Sequence, residues 1–355
     1  MSSEASVNAA PSAMARVAVV IPNWNGAHLL RACLDSMRRQ AFRDFVVYVV
    51  DNGSRDESLS LLAREYAEVM VVALPINVGF ASGVNAGIRA SREPYVVLLN
   101  NDTEAAPDWL FELTTYMDAH PEYAYAASKL LDFKQRDVID CVADGFSLLG
   151  IPFKVGARER DVGQYDKPFE LFGACAAASL YRRSLLDEIG LFDDEYFAYV
   201  EDVEISLRAQ IAGHRGVSIT AAKVFHMGSA SSGGQPSAFT VRLSARNVWW
   251  TIFKCMPAGL LWRVVPMALA AQAALLLVAV LTGRYPWLRR NLRAFFVGLG
   301  EALRGLPGAI RKRRTVVRRI GTAELLRRIE AGRAQQRASR GRLRQQRAEA
   351  RTSAA

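Results

Sequence analysis

The sequence has few cysteines and few histidines, and it lacks any glycine loop of the usual phosphate-binding kinds. Its four cysteines, Cys33, Cys141, Cys175 and Cys255, are widely spaced with no Cys-x-x-Cys. That pattern favours free thiols in a reducing compartment over a disulfide framework or a zinc cluster. No G-x-G-x-x-G follows the first apolar run, and no G-x-x-x-x-G-K-[ST] occurs anywhere. The dinucleotide-fold and P-loop readings thereby lose their main support. Residues 1–15 are rich in Ala and Ser but have no basic segment followed by an apolar core, which argues against a secretory signal and for a disordered leader. Nor does the body of the chain carry a nucleic-acid-binding motif.

What is present is a large apolar reserve and a divided charge. With 355 residues, 51% of them hydrophobic, the chain can bury a sizeable core and still carry an appendage. The net charge of +10 is an average over two unlike parts: from Arg284 onward there are 20 basic and 4 acidic residues, which leaves 25 basic against 31 acidic before it. The basicity belongs to the tail, and the remainder is mildly acidic.

Apolar runs alternate with helical spacing. Val17 to Ile21 reads as a strand closed by Pro22 and the polar loop Asn23-Trp24-Asn25-Gly26. A helix follows, with Leu29, Leu30, Cys33, Leu34 and Met37 on one face. Phe45 to Val50 is a second strand ending on Asp51, and Ser54-Arg-Asp-Glu57 matches a capping box for the next helix. Val69 to Leu74, a helix over Phe80 to Ala90, and the run Tyr95 to Leu99 continue the pattern. Strand–helix alternation predicts an α/β fold with a mainly parallel central sheet and right-handed crossovers. Its polar punctuation falls at the strand ends: Asn23, Asn25, Asp51, Asn77, Asn100, Asn101 and Asp102. Those ends form the rim where open α/β sheets bind ligands. The alternative for the last three is a simple Asx turn.

Taken in order, Val20-Ile-Pro-Asn-Trp-Asn25, Val50-Asp-Asn-Gly-Ser54, Asn77-Val-Gly-Phe80, Leu99-Asn-Asn-Asp102, Phe172-Gly-Ala174 and Tyr199-Val-Glu-Asp-Val-Glu204 resemble the motif set of family 2 inverting glycosyltransferases of GT-A fold, especially the bacterial rhamnosyltransferase-like branch. His226 and Arg246-Asn247 extend the resemblance, which covers about residues 16 to 255. It implies a single Rossmann-like nucleotide- and acceptor-binding domain. Pro22, Asn23, Asp51, Asn77, Gly79, Asn100 and Asn101 are expected on the donor. Asp102 corresponds to the last carboxylate of a DxD-type motif and His226 to a second metal ligand, so the resemblance implies a divalent cation, Mn²⁺ or Mg²⁺, on the donor diphosphate. Asn100 stands where the first acid of that motif is usual, so one carboxylate is missing. Gly173, Ala174 and Glu201 are expected on the acceptor, and Asp202 as the base that takes the acceptor hydroxyl's proton. Glu201 and Asp202 also open a helix, where acids complement its dipole, and Glu204 reads as a helix or salt-bridge residue.

The expected divisions are 1–15 (leader), 16–255 (GT-A domain), 256–310 (hydrophobic and amphipathic helices) and 311–355 (Arg-rich tail). Val264 to Leu281 contains no charge over 18 residues, close to the roughly 20 that span a bilayer. Leu292 to Ile310 is amphipathic, and residues 323–351 read as a solvated helix or a disordered run. The expected partners are a nucleoside diphosphate sugar, a glycan or lipid-linked glycan acceptor, and the inner membrane face through these helices and the Arg-rich tail, with nucleic acid disfavoured. The resemblance favours dTDP-L-rhamnose as donor and cell-envelope polysaccharide synthesis as setting. Two other readings stay open: a polyprenyl-phosphate sugar synthase, and a noncatalytic sugar-nucleotide-binding membrane scaffold.

Overall fold

The computed structural model describes residues 15–228 and 236–353; residues 1–14 of the expected leader lie outside them. The first half is a run of strand–helix units: β1 (Val17–Asn23), α1 (Ala27–Arg38), β2 (Phe45–Asn52), α2 (Ser58–Glu65), β3 (Met70–Leu74), α3 (Phe80–Ala90) and β4 (Tyr95–Leu99). Strands β1, β2 and β4 are nearly continuous in apolar residues because both their faces are covered. Val17, Val19 and Ile21 enter one core cluster, and Ala18 and Val20 enter the other on the opposite face. The same alternation divides Tyr95, Val97 and Leu99 from Val96 and Leu98.

The second half adds β5 (Thr103–Ala105), α4 (Trp109–Ala119), β6 (Tyr123–Asp132), β7 (Ile139–Cys141), β8 (Ala143–Phe146), β9 (Pro152–Val155), β10 (Phe169–Leu171), β11 (Ala178–Arg182), α5 (Arg183–Ile189), α6 (Glu201–Ile211) and β12 (Arg215–His226). Among the described residues the main sheet runs β10-β12-β6-β11-β4-β1-β2-β3, with β5 on β12 and β7 on β6. It is parallel across β4-β1-β2-β3 and between β6 and β12, while β11 lies antiparallel between β4 and β6. Two pairings matter for the site. Asn23 is opposite Asp51 at the carboxyl ends of β1 and β2, and Thr103 is opposite His226 in the β5–β12 ladder. The second sets the residue after Asp102 beside a histidine more than a hundred positions away.

The expected capping box is corrected. Helix α2 begins at Ser58, and Ser54 does not cap it. Instead the Ser54 hydroxyl accepts the Asn25 N–H at 2.9 Å, and Asp56 accepts the Ser58 N–H at 3.0 Å and the Ala27 N–H at 3.0 Å. The acid inside the motif is better placed for the orphan helix donors than the serine that opens it.

The chain continues into α7 (Ala238–Cys255), α8 (Ala258–Thr282), α9 (Pro286–Arg290), α10 (Leu292–Lys312) and α11 (Thr322–Ser353). The basic tail is neither disordered nor wholly solvated. Arg328 donates to the Gln210 side chain and the His214 carbonyl, each at 2.8 Å, and Arg342 pairs with buried Glu159 at 2.9 Å. Ser339 accepts the Gly156 N–H at 2.9 Å. Arg318 donates to the Cys255 carbonyl, and Arg319 pairs with Glu188. Part of the charge expected to meet lipid is therefore spent on the protein itself.

Candidate active site

Strands β1, β2 and β4 end together, and their polar residues form one network. Asn101 donates to Asn23 at 2.7 Å, Asn23 donates to Asp51 at 3.3 Å, and the Ser54 N–H donates to the other Asp51 oxygen at 3.0 Å. Pro22 lies in β1 just before Asn23, opposite Val50. The neighbouring loop is pinned by Asn52, which donates to Asn77 at 3.1 Å and to the Gly79 carbonyl at 3.0 Å, while Asn77 accepts the Gly79 N–H at 2.9 Å. Gly79 has φ +91°, and a Cβ there would come within 2.6 Å of Phe197. Phe197 packs against this bare backbone, which leaves no room for a side chain.

Asp102 follows β4 in the turn leading to β5. The Met227 N–H donates to its carbonyl at 2.9 Å, which ties that turn to the end of β12. The Asp102 carboxylate Oδ1 is 3.4 Å from His226 Nε2. The other ring nitrogen, Nδ1, meets Asp140 Oδ2 at 2.8 Å, and Lys154 pairs with Asp140 at 3.0 Å. Burial opposes a cationic imidazole, but Asp102 and Asp140 outweigh it and raise the His226 pKa to about 10. Burial likewise opposes the Asp140 carboxylate, and His226 and Lys154 nonetheless hold it well below the usual range. Asp140 was not singled out in the sequence. It sits in the short strand β7, and only the β6–β12 pairing brings it to His226.

These residues fit a divalent cation. Asp102 and His226 offer one oxygen and one nitrogen at a spacing two ligands of one ion can share. Asn100 Oδ1 is buried at the same rim with no hydrogen-bond partner among the described residues, a costly state that a cation or donor hydroxyl would relieve. Asp140 on the far nitrogen is the arrangement that orients metal-binding imidazoles.

The candidate base is delivered by strained backbone. Phe197, Tyr199 and Val200 have φ of +63°, +69° and +72°, a region non-glycine residues seldom occupy and a β-branched one hardly ever. Asn247 of α7 holds them there: its side-chain amide donates to the carbonyls of Tyr196, Ala198 and Tyr199 at 3.0, 3.0 and 2.7 Å. Arg246 adds a donor to the Tyr196 carbonyl at 2.8 Å. Helix α6 then opens with Glu201 and Asp202. Burial raises the Asp202 pKa, against the Val203 and Ala176 N–H groups and the charge of Lys154 that lower it. Glu201 is raised well above the carboxylate range by burial and by Asp202, and its Oε2 has no partner among the described residues. Lys154 acts on both Asp140 and Asp202, which joins the two parts of the site. Glu204 is structural, pairing with Arg208 at 2.7 Å and Lys254 at 2.8 Å.

Gly173 and Ala174, expected on the acceptor, pack against α6. Both are buried: a Cβ on Gly173 would meet Ser206 at 3.0 Å, and the Ala174 N–H donates to Ser206 at 3.3 Å. Their small size lets the loop pack on α6. The cysteines are also less scattered than their spacing implies. All four are free, but Cys141 and Cys175 lie with Asp144 in one cluster whose ligand atoms are within 4.8 Å of one another. Burial first, and then Cys175 and Asp202, raise Asp144 well above its ordinary range.

A parallel nucleotide-type sheet carries an Asp–His pair at its rim and a buried carboxylate at a helix start, an arrangement on a GT-A-like fold. Residues 18–190, just under half of the chain, match the model of glycosyl transferase family 2. An uncharacterized glycosyltransferase of Rickettsia prowazekii is 26% identical over 193 residues, 53% of this chain and 57% of that one. The chain thus spans little more than half of that relative. An N-acetylglucosaminyl-diphospho-decaprenol L-rhamnosyltransferase of Mycobacterium tuberculosis is 26% identical over 237 residues, 60% of this chain and 76% of its own. Among solved structures, S. aureus TarS 1-349 aligns over 90% of this chain and 91% of its own with TM-score 0.51 and 16% identity. The Pyrobaculum calidifontis mannosyltransferase PcManGT, in complex with GDP-Man and Mn2+, aligns over 91% of this chain and 90% of its own with TM-score 0.50 and 17% identity. These two share the fold.

Proposed function

We propose that the protein is a divalent-metal-dependent inverting glycosyltransferase. It moves a sugar from a nucleoside diphosphate to a glycan or lipid-linked glycan acceptor in cell-envelope polysaccharide synthesis, at the cytoplasmic face of the plasma membrane. The observation that carries this is the 3.4 Å approach of Asp102 to His226 at the rim shared by Asn23, Asp51 and Asn101.

In this reading Asn23 and Asp51 receive the base and ribose of the donor, and Pro22, Asn77, Gly79 and Asn101 shape their cleft. Asp102, His226 and the Asn100 side-chain oxygen would hold the cation, which would supply positive charge to stabilise a departing diphosphate. A leaving group so stabilised needs no protonating acid, in contrast to the two carboxylates of most glycoside hydrolases. One base then suffices, and Asp202 is suited to it because its raised pKa makes its carboxylate a better proton acceptor. It takes the acceptor hydroxyl's proton as that oxygen attacks the anomeric carbon from the side opposite the diphosphate. Glu201, whose pKa burial and Asp202 raise, lies beside the acceptor side of the site and orients the acceptor. The named activity of the M. tuberculosis relative favours L-rhamnose as the transferred sugar, and the motif resemblance favours dTDP-L-rhamnose as its donor.

A thermal-shift panel of UDP, dTDP and GDP sugars with and without Mn²⁺ tests this. The donor should raise the transition in proportion to the logarithm of its concentration over its dissociation constant, and only with metal. No shift with any of them, together with no turnover, would contradict it. Turnover that survives Asp202→Asn would move the assignment to a polyprenyl-phosphate sugar synthase, whose phosphate acceptor needs no base.

A further inference from the structure

We propose that α8 lies flat on an anionic membrane surface, its outer face and the outer stripe of α10 meeting the bilayer while its inner face stays on the protein. By length α8 could cross instead. Its 25 residues rise about 37 Å, against a hydrocarbon core of about 30 Å.

The packing of α8 opposes crossing. Val264 and Ala268 are buried in the core that α7 shares with the catalytic domain, and Ala279, three turns later, is buried with Val241 and Phe295. Between these points Gln272 accepts a hydrogen bond from the Trp249 indole at 3.3 Å. The helix is thus tied to the protein at points spread along its length: Leu260, Val264, Ala268, Gln272 and Ala279. Crossing would strip these contacts and leave the Gln272 amide in hydrocarbon, where unsatisfied polar groups are costly. Lying flat keeps every one of them.

The opposite face is uncovered among the described residues. On α8, Trp262 and Leu281 are 74% and 72% exposed, with Leu269 and Leu277 exposed between them. On α10, Phe296, Leu303 and Ile310 recur at every seventh position and all stand exposed. Exposed apolar surface on this scale marks an interaction site.

Charge selects the occupant. From Ala258 to Arg311 there are seven arginines and one acid, Glu301, and that acid is already paired with Arg242. A second copy of the chain would bring the same arginines to the contact and repel. An anionic bilayer complements them, as it does other helices with an apolar face and basic flanks. The placement also serves the site. Helix α7, on which both α8 and α10 rest, carries the Arg246 and Asn247 that hold the loop before Asp202, so a membrane-bound helix layer keeps the acceptor end near lipid. The inference rests on the proposed function only for the statement that the acceptor is lipid-linked.

The test uses the full chain with vesicles of phosphatidylcholine alone or mixed with phosphatidylglycerol. Sedimentation should show binding to the mixed vesicles, at least about tenfold weaker to the neutral ones, and lost in Leu269→Glu/Leu281→Glu and in Phe296→Glu/Leu303→Glu. These surface changes should leave the thermal transition unmoved. Brominated lipids should quench the Trp262 fluorescence, isolated by subtraction of Trp262→Phe, when bromine sits high on the acyl chain and not at its end. Absence of binding to anionic vesicles, quenching strongest at the bilayer centre, or a concentration-dependent dimer that hides this face and ignores vesicles would each overturn the proposal. Failure of donor turnover with vesicle binding intact would count against the enzyme function and not against this surface.

Discussion

Asp140 Oδ2 lies 2.8 Å from His226 Nδ1, and this contact turns the other ring nitrogen toward Asp102. Replacing Asp140 by Asn keeps the volume but loses the charge that fixes the ring. We expect Asp140→Asn to weaken Mn²⁺ binding by about 10- to 100-fold, read by titration calorimetry or by the electron paramagnetic resonance of free Mn²⁺. Wild-type affinity in this variant would remove Asp140 from the site.

Asp202→Asn should lower kcat by about 10²- to 10⁴-fold and leave Mn²⁺ and donor affinity within a few-fold of wild type. The wild-type pH profile carries a related sign. A base works deprotonated, so kcat/KM should rise with pH through the raised pKa of Asp202. The acid limb should therefore fall above the ordinary carboxylate value of about 4. A profile flat down to that value would exclude Asp202 as the base.

Asn247 holds three carbonyls of the loop in which Tyr199 and Val200 have positive φ. Asn247→Ala frees that strain and should let Asp202 shift. The expected result is a drop in kcat of about 10²-fold, with Mn²⁺ binding retained. An unchanged kcat would show that α6 positions its first turn without the clamp.

Glu204 is fully buried between Arg208 and Lys254. Glu204→Ala leaves two buried cations short of their partner and should destabilise the fold by about 3–5 kcal/mol, measured by urea unfolding. A loss within experimental error would show that Asp193, which pairs with Lys254 at 2.6 Å, compensates.

The first half of the fold was legible because its signals are local. Both faces of β1 and β4 are covered, so their apolar runs are continuous, and Asn23, Asp51 and Asp102 mark the strand ends. The second half was not, because its strands are short and their partners distant: β5 and β7 are three residues each. Asp140 therefore gave no local sign of its place beside His226. Asp102 and His226 were brought forward by family resemblance and Asp202 by the same route, and the structure supplies the reason for Asp202's position in Asn247. At Gly173 and Ala174 the sequence does not separate the two uses of small residues, because they serve close backbone packing as readily as ligand approach. The charge of α11 misled because a run of arginines reads as solvated unless its buried acceptors, such as Glu159 and Gln210, are known.

The central claim is that Asp102 and His226 hold a divalent cation against the donor diphosphate. A titration of Mn²⁺ into the protein with saturating nucleoside diphosphate, repeated for Asp102→Ala and His226→Ala, tests it most directly. The account predicts one Mn²⁺ per wild-type chain, with affinity reduced at least about 100-fold in both variants while the thermal transition stays cooperative. Equal affinity in all three proteins would contradict it.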